Sequence, residues 1–348
     1  MTARKNLSIE TLRGIAILLV VAGHVIGSAP NGGMKIDFPH PLRYLYLWID
    51  YIQMPLFTAI AGWVYALKPA ALPGSFMKFA RKKAMRLLVP MVVVGTLYFV
   101  IQYLVPGTNN KGDITRMWRI YVFPYTIYWY LPSLFLIFMI QWCIDRYKKM
   151  ESLRQWAVWC VAAILLSMVN DRGVMHVLPN LFSFKGALGQ LPYFFAGVAA
   201  CRFEWQIRGA GRLVRLALWG TAFLGAALIQ VVWFASAEVA GGGGGTFLVL
   251  AHHHELYVLT VIAALFLLLE MRVHNRFFVW LGGYAYSIYL LHGFGTAGGR
   301  ILLKMLGVKA VAAVFPVVTA AASVLPVVVD RVAGRYKAVR VLLLGKAA

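Results

Sequence analysis

The stretch ETLRGIAILLVVAGHVIG, Glu10 to Gly27, is apolar and long enough to open a membrane-spanning helix, yet it holds an arginine near its start and a histidine near its end. At about 100° and 1.5 Å per residue, the eleven positions between Arg13 and His24 put the two side chains within about 20° of one face and ~16 Å apart in depth. One sits at a membrane surface and the other well within, in line with it.

The rest of the chain has the same character. It has 348 residues, 61% of them hydrophobic and 13% charged, with a mean hydropathy of +0.73, and is too apolar for a soluble globular domain. The fold class expected is an all-α integral membrane protein. Apolar runs predict helices near 12–28, 44–67, 87–105, 125–144, 156–170, 186–201, 216–237, 255–270, 277–297 and 309–329, about ten in all, so that both termini share a side. The formal charge of +22 would suggest nucleic acid in a soluble chain, but the cations cluster between apolar runs, which speaks against a nucleic-acid partner. Of the 34 Lys and Arg, 24 lie in the N-terminus through Arg13, in 68–86, 146–154, 202–215 and 272–276, and in the tail; the positive-inside rule puts that side, with both termini, in the cytoplasm.

Arg4 and Lys5 ahead of an apolar run resemble a signal peptide, but a buried histidine and nine further spans favour an anchor. No composition shift marks a second domain, so residues 1–348 form one helical unit. Cys143, Cys160 and Cys201 suggest small buried hydrophobes rather than a disulfide framework. The run Gly241 to Gly245 suggests a slack outer linker.

An ionisable group inside a bilayer costs several kcal/mol unless it is partnered or wet, so each is a functional candidate. His24 is the first and His292, in LGGYAYSIYLLHGF (Leu281 to Phe294), is the second; both fall in the outer half of the membrane at similar depth. Asp50 in WIDYIQMPLF lies near the depth of His24 and could orient its imidazole; Gln53 follows three residues later. Glu10 and Arg13 share a helical face at a spacing that suits a surface pair. On the cytoplasmic side KFARKKAMRLLVP packs Lys78, Arg81, Lys82, Lys83 and Arg86 into the mouth of the third helix, a cluster able to hold phosphates or merely to face anionic lipid. His252 to Glu255 lack metal-ligand spacing, so no metal is expected, and these residues suit the outer interface. Walker, nucleophile-elbow and Cys-x-x-Cys signatures are missing, which leaves ATP-driven transport, serine hydrolysis and dithiol redox chemistry unsupported.

Four stretches together resemble the membrane acyltransferase-3 family of bacterial polysaccharide and glycan O-acyltransferases, in its fucose O-acetylase-like branch: IETLRGIAILLVVAGH, MPLFTAIAGWVY, KKAMRLLVP and YAYSIYLLH, supported by YWYLPSLF. The resemblance implies ten helices in a bacterial inner membrane, acetyl-CoA as donor co-substrate at the cytoplasmic side, and a glycan or lipid-linked sugar hydroxyl as acceptor at the outer face, with polysaccharide-assembly proteins as further partners. On the residues that match, it implies that Glu10, Arg13, His24 and His292 are catalytic and that Lys83 and Arg86 occupy the Arg-x-x-Arg positions; with Arg81 and Lys82 of the same basic cluster, these are expected to hold the donor phosphates. Lysine at 83 gives up the bidentate phosphate geometry of arginine. Ile52-Gln53-Met54-Pro55 stands where that branch often has Phe-His-Met-Pro, and no SGNH-type domain is expected after the last helix. His24 is then expected to act as general base or as an acylated relay. Two other readings are a proton-coupled transporter that uses His24, Asp50 and His292, and a non-catalytic subunit of an export assembly; no inverted repeat supports the transporter.

Overall fold

The computed structural model describes residues 6–67, 75–106, 108, 113–209, 211–239 and 254–346. Gly241 to Gly245, His252 and His253 lie outside the described residues. Among the described residues there are fourteen α-helices, short 3-10 turns and no strand. The helices are α1 (Leu7–Ile26), α2 (Pro41–Ala66), α3 (Phe76–Leu104), α4 (Arg119–Val122), α5 (Tyr130–Arg146), α6 (Leu153–Asp171), α7 (Phe184–Arg202), α8 (Glu204–Gly209), α9 (Arg212–Val239), α10 (His254–Glu270), α11 (Arg276–Gly283), α12 (Ala285–Met305), α13 (Val311–Ala333) and α14 (Lys337–Leu344).

Every stretch read as a span falls on a helix. Among the described residues six segments are long and apolar enough to cross a membrane: Leu7–Ile26, Phe76–Leu104, Ile114–Arg146, Leu153–Asp171, Arg212–Trp233 and Val311–Ala333. Of the remaining helices, α2 and α12 carry buried polar groups such as Arg43, Gln53 and His292, and α10 has 17 residues. The stretch expected as one helix over 277–297 is two. It breaks at Tyr284, whose φ of −106° and ψ of 4° leave the helical region, and its second part runs on to Met305.

Helix α1 starts where the Asn6 side chain accepts hydrogen bonds from Ser8 N at 3.1 Å and Ile9 N at 3.3 Å, which satisfies amides that the first turn leaves free. It stops at Gly27, whose φ of 98° favours glycine and whose missing Cβ leaves room for the backbone of Gly32 and Gly33. In between, α1 is the hub of the bundle, packed on α2, α11, α12 and α13. Its contact with α11 is interlocked: a Cβ at Gly14 would collide with the Phe278 carbonyl, and one at Gly282 with the Glu10 carbonyl. Gly62 and Gly197 do the same between α2 and α7, against the backbone of Phe194 and Ala59. Small residues at such crossings let helix backbones approach where lipid offers no hydrophobic drive for association.

Candidate active site

Helices α1 and α12 bring His24 and His292 together, edge to face, with ring centroids 4.9 Å apart and planes at 74°. A carbonyl oxygen can only accept, so the hydrogen bonds to backbone fix the tautomers. His24 Nδ1 donates to the Val20 carbonyl at 2.8 Å, and His292 Nδ1 to the carbonyls of Tyr289 at 2.8 Å and Ile288 at 3.1 Å. In both neutral rings Nε2 is therefore the bare, basic nitrogen. His292 is fully buried and its Nε2 has no partner, whereas His24 is partly exposed.

His292 is held from the fourth expected span. Tyr128 donates to the Leu290 carbonyl at 3.1 Å, and Tyr289 reciprocates with a hydrogen bond to the Ile127 carbonyl. YWYLPSLF and YAYSIYLLH are thus clasped to each other through their tyrosines. On the other side Asp50 Oδ1 accepts from Tyr46 OH and from Gln53 Nε2, both at 3.1 Å. Asp50 is close enough to act electrostatically on His24, with no hydrogen bond joining the two. Gly23 makes room for Gln53, since a Cβ there would stand 2.9 Å from Gln53 Oε1.

At the other end of α1 is a second cluster. Arg13 Nη1 binds Glu10 Oε1 at 2.8 Å, while Glu10 Oε2 is buried without a partner. Arg13 and Lys83 both lie within electrostatic reach of Arg86 of α3. Arg81, Lys82 and Arg86 are exposed, but Lys83 turns inward, with Nζ 3.2 Å from the ring centroid of Phe138 and 5.5 Å from that of Phe79. The residues expected to serve one reaction therefore form two centres on one helix: His24, His292 and Asp50 at one end, and Glu10, Arg13, Lys83 and Arg86 at the other.

Several polar residues had no signal in the sequence. Arg43, 1% exposed, ties the loop after α1 to its end, with Nη1 on the Gly27 carbonyl at 3.0 Å and Nε and Nη2 on the Ile36 carbonyl at 3.2 and 3.1 Å. Asp145 of α5 takes both Arg202 nitrogens at 2.6 and 2.7 Å, Tyr65 OH at 2.8 Å and Gln141 Nε2 at 2.9 Å, which joins α2, α5 and α7. Ser167, His254 and Asp171 stand in the order of a hydrolase triad, with His254 Nε2 3.1 Å from Ser167 Oγ and Nδ1 3.6 Å from Asp171 Oδ1. Ser167 is fully buried and its hydroxyl donates to the Ile164 carbonyl at 2.8 Å, so the group works as polar glue between α6 and α10. A cleft of about 260 Å³ lies between the ends of α1, α2, α7 and α10, lined by Ser8, Trp63, Glu204, Glu270 and Arg272 among others. Ser8 is about 140° around α1 from Arg13, and the carboxylates on this cleft make it a poor seat for phosphates. Among the described residues no three His, Cys, Asp or Glu side chains converge to hold a metal ion.

Comparison with known proteins agrees with the motif pattern. The chain is 23% identical over 212 residues to the nodulation protein NolL of Mesorhizobium japonicum (strain LMG 29417 / CECT 9101 / MAFF 303099), a match that takes in 59% of this chain and 53% of that protein. The match thus spans about half the length of that relative. No solved structure matches. The acyltransferase-domain profile of the acyltransferase-3 family matches residues 6–330 and takes in both clusters. The chain belongs to the acyltransferase-3 family of membrane acyltransferases.

Proposed function

We propose that this protein is an acetyl-CoA-dependent O-acetyltransferase of the fucose O-acetylase-like branch, which moves an acetyl or related acyl group from cytoplasmic acyl-CoA to a hydroxyl of a polysaccharide or lipid-linked glycan. In this reading the ten apolar stretches all cross a bacterial inner membrane, both termini are cytoplasmic, and the product feeds exopolysaccharide assembly. The observation that carries it is the His24–His292 pair, two touching imidazoles with Nε2 bare on each, in a chain of an acyltransferase family.

Arg81, Lys82 and Arg86 offer the donor phosphates exposed cations, and Arg13 continues the positive field inward, with Glu10 fixing its guanidinium. Lys83 sits over Phe138, turned away from the exposed cations of the mouth. The ~16 Å along α1 from Arg13 to His24 is of the order of an extended chain of four to five residues, and the pantetheine arm is a linker of that kind. At the outer cluster His24 Nε2 takes the proton from the acceptor hydroxyl as its oxygen attacks the thioester carbonyl. The C–S bond then breaks, and the thiolate leaves as CoA thiol with the proton that His24 returns. His292 packs against the His24 ring and Asp50 lies within electrostatic reach of it, so both act through His24. Asp50 is thereby a positioning group of the site.

The test is release of CoA thiol by the purified protein with acetyl-CoA and a mixed glycan acceptor. Arg86→Ala is expected to raise KM for acetyl-CoA by about tenfold to a hundredfold, the worth of one charged hydrogen bond to phosphate. Unchanged KM in a working enzyme would separate the basic mouth from the donor. Movement of protons or solute with no thiol release would favour the transporter.

A further inference from the structure

The family match ends at residue 330, yet the chain beyond it folds back onto the basic mouth. Helix α14 (Lys337–Leu344) packs on the start of α3, and also on α12 and α13. It ends at Gly345, whose φ of 57° is left-handed and whose missing Cβ leaves room for the backbone carbonyl of Arg86. The next residue closes the strap: Lys346 Nζ lies 2.7 and 2.6 Å from the two oxygens of Asp330, a buried carboxylate that also accepts from the Ser287 hydroxyl. Tyr286, beside Ser287, donates to the same Arg86 carbonyl. The strap and α12 therefore grip one point of α3, the backbone of Arg86, a residue within electrostatic reach of Arg13.

Arg340 is the feature this packing does not explain. It lies one turn before the buried Leu344, on the face that α14 turns to the bundle, and its Nε is buried without a partner. Arg340 is half-buried, and a guanidinium nitrogen buried without a partner is costly; the helix that carries it packs on α3 and ends against the backbone of Arg86, beside the cationic residues of the mouth. Such a gathering of cations suits a ligand with several negative charges, and phosphate oxygens are the acceptors a guanidinium fits best.

We infer that the C-terminal strap is part of the donor site: Arg340 is a phosphate ligand of the acyl-CoA, and the Lys346–Asp330 pair is a latch that holds Arg340 and Arg86 at one opening. This rests on the donor reading above. Lys346 and Asp330 are positioning residues, since they act through the strap and not on the phosphate.

The experiment measures binding of unacylated CoA to the full chain in nanodiscs of phosphatidylcholine, then with phosphatidylglycerol added. Arg340→Gln is expected to weaken CoA binding about tenfold or more, and Arg340→Lys to recover part of the loss. Lys346→Met should weaken it less, with recovery in Lys346→Arg. CoA binding equal to wild type in a folded, monodisperse Arg340→Gln protein would overturn the inference and leave the donor reading intact. A loss confined to phosphatidylglycerol-dependent behaviour, with CoA affinity kept, would assign Arg340 to lipid and overturn it as well. A wild type that binds no CoA would overturn the donor reading and this inference with it.

Discussion

Alanine at His24 is expected to lower acyl transfer about 10²–10⁴-fold, the usual worth of a general base, in a protein that still folds. The fold should survive because the imidazole is partly exposed and its backbone hydrogen bond runs within its own helix, to the Val20 carbonyl. Removal costs the edge contact with His292 and little else in the core. Transfer should be counted as label on the acceptor, beside a size-exclusion profile of the same sample. Activity near wild type in a monodisperse His24→Ala protein would remove His24 from the chemistry.

The largest effect on stability is expected at Asp145, which joins α2, α5 and α7. Its carboxylate accepts four donors, two from Arg202 and one each from Tyr65 and Gln141. Asp145→Ala leaves a mostly buried guanidinium with only the Met150 carbonyl at 3.2 Å and the Tyr65 hydroxyl without its acceptor, and loss of one member of a buried pair costs about 3–5 kcal/mol. The variant should melt well below wild type in detergent or fail to fold at all. Arg202→Met in addition should restore much of the loss, because an apolar side chain needs no counter-charge. A Tm equal to wild type in Asp145→Ala would show that Arg202 finds another acceptor.

What the sequence could reveal follows from the range of each interaction. The apolar stretches and the Arg13–His24 register depend on helical geometry over a few turns, and both are legible as written. The facing of His24 and His292 depends on how α1 crosses α12, 268 positions away in the chain. It is set by Gly14 and Gly282 at the α1–α11 crossing and by the Tyr128–Tyr289 clasp, none of which has a local pattern. Lys83 looks like one more member of a basic run until Phe138 takes its ammonium. Asp145 and Arg202 each pass for ordinary charges at the end of a span and become partners only once α5 and α7 lie side by side. The break at Tyr284 interrupts an apolar run with no proline to announce it. Arg43, outside the basic clusters of the sequence, is a buried clamp for the loop after α1.

An acyl group is expected to enter at the Arg13–Arg86 end of α1 and to leave at the His24–His292 end. Sealed proteoliposomes test this, with acetyl-CoA isotopically labelled in the acetyl group on the side of the basic mouth and a glycan acceptor on the opposite side. Label is expected in ester linkage on the acceptor, with unlabelled CoA thiol remaining on the donor side. Label that stays on CoA, or that crosses still attached to it, would rule out this path through the protein.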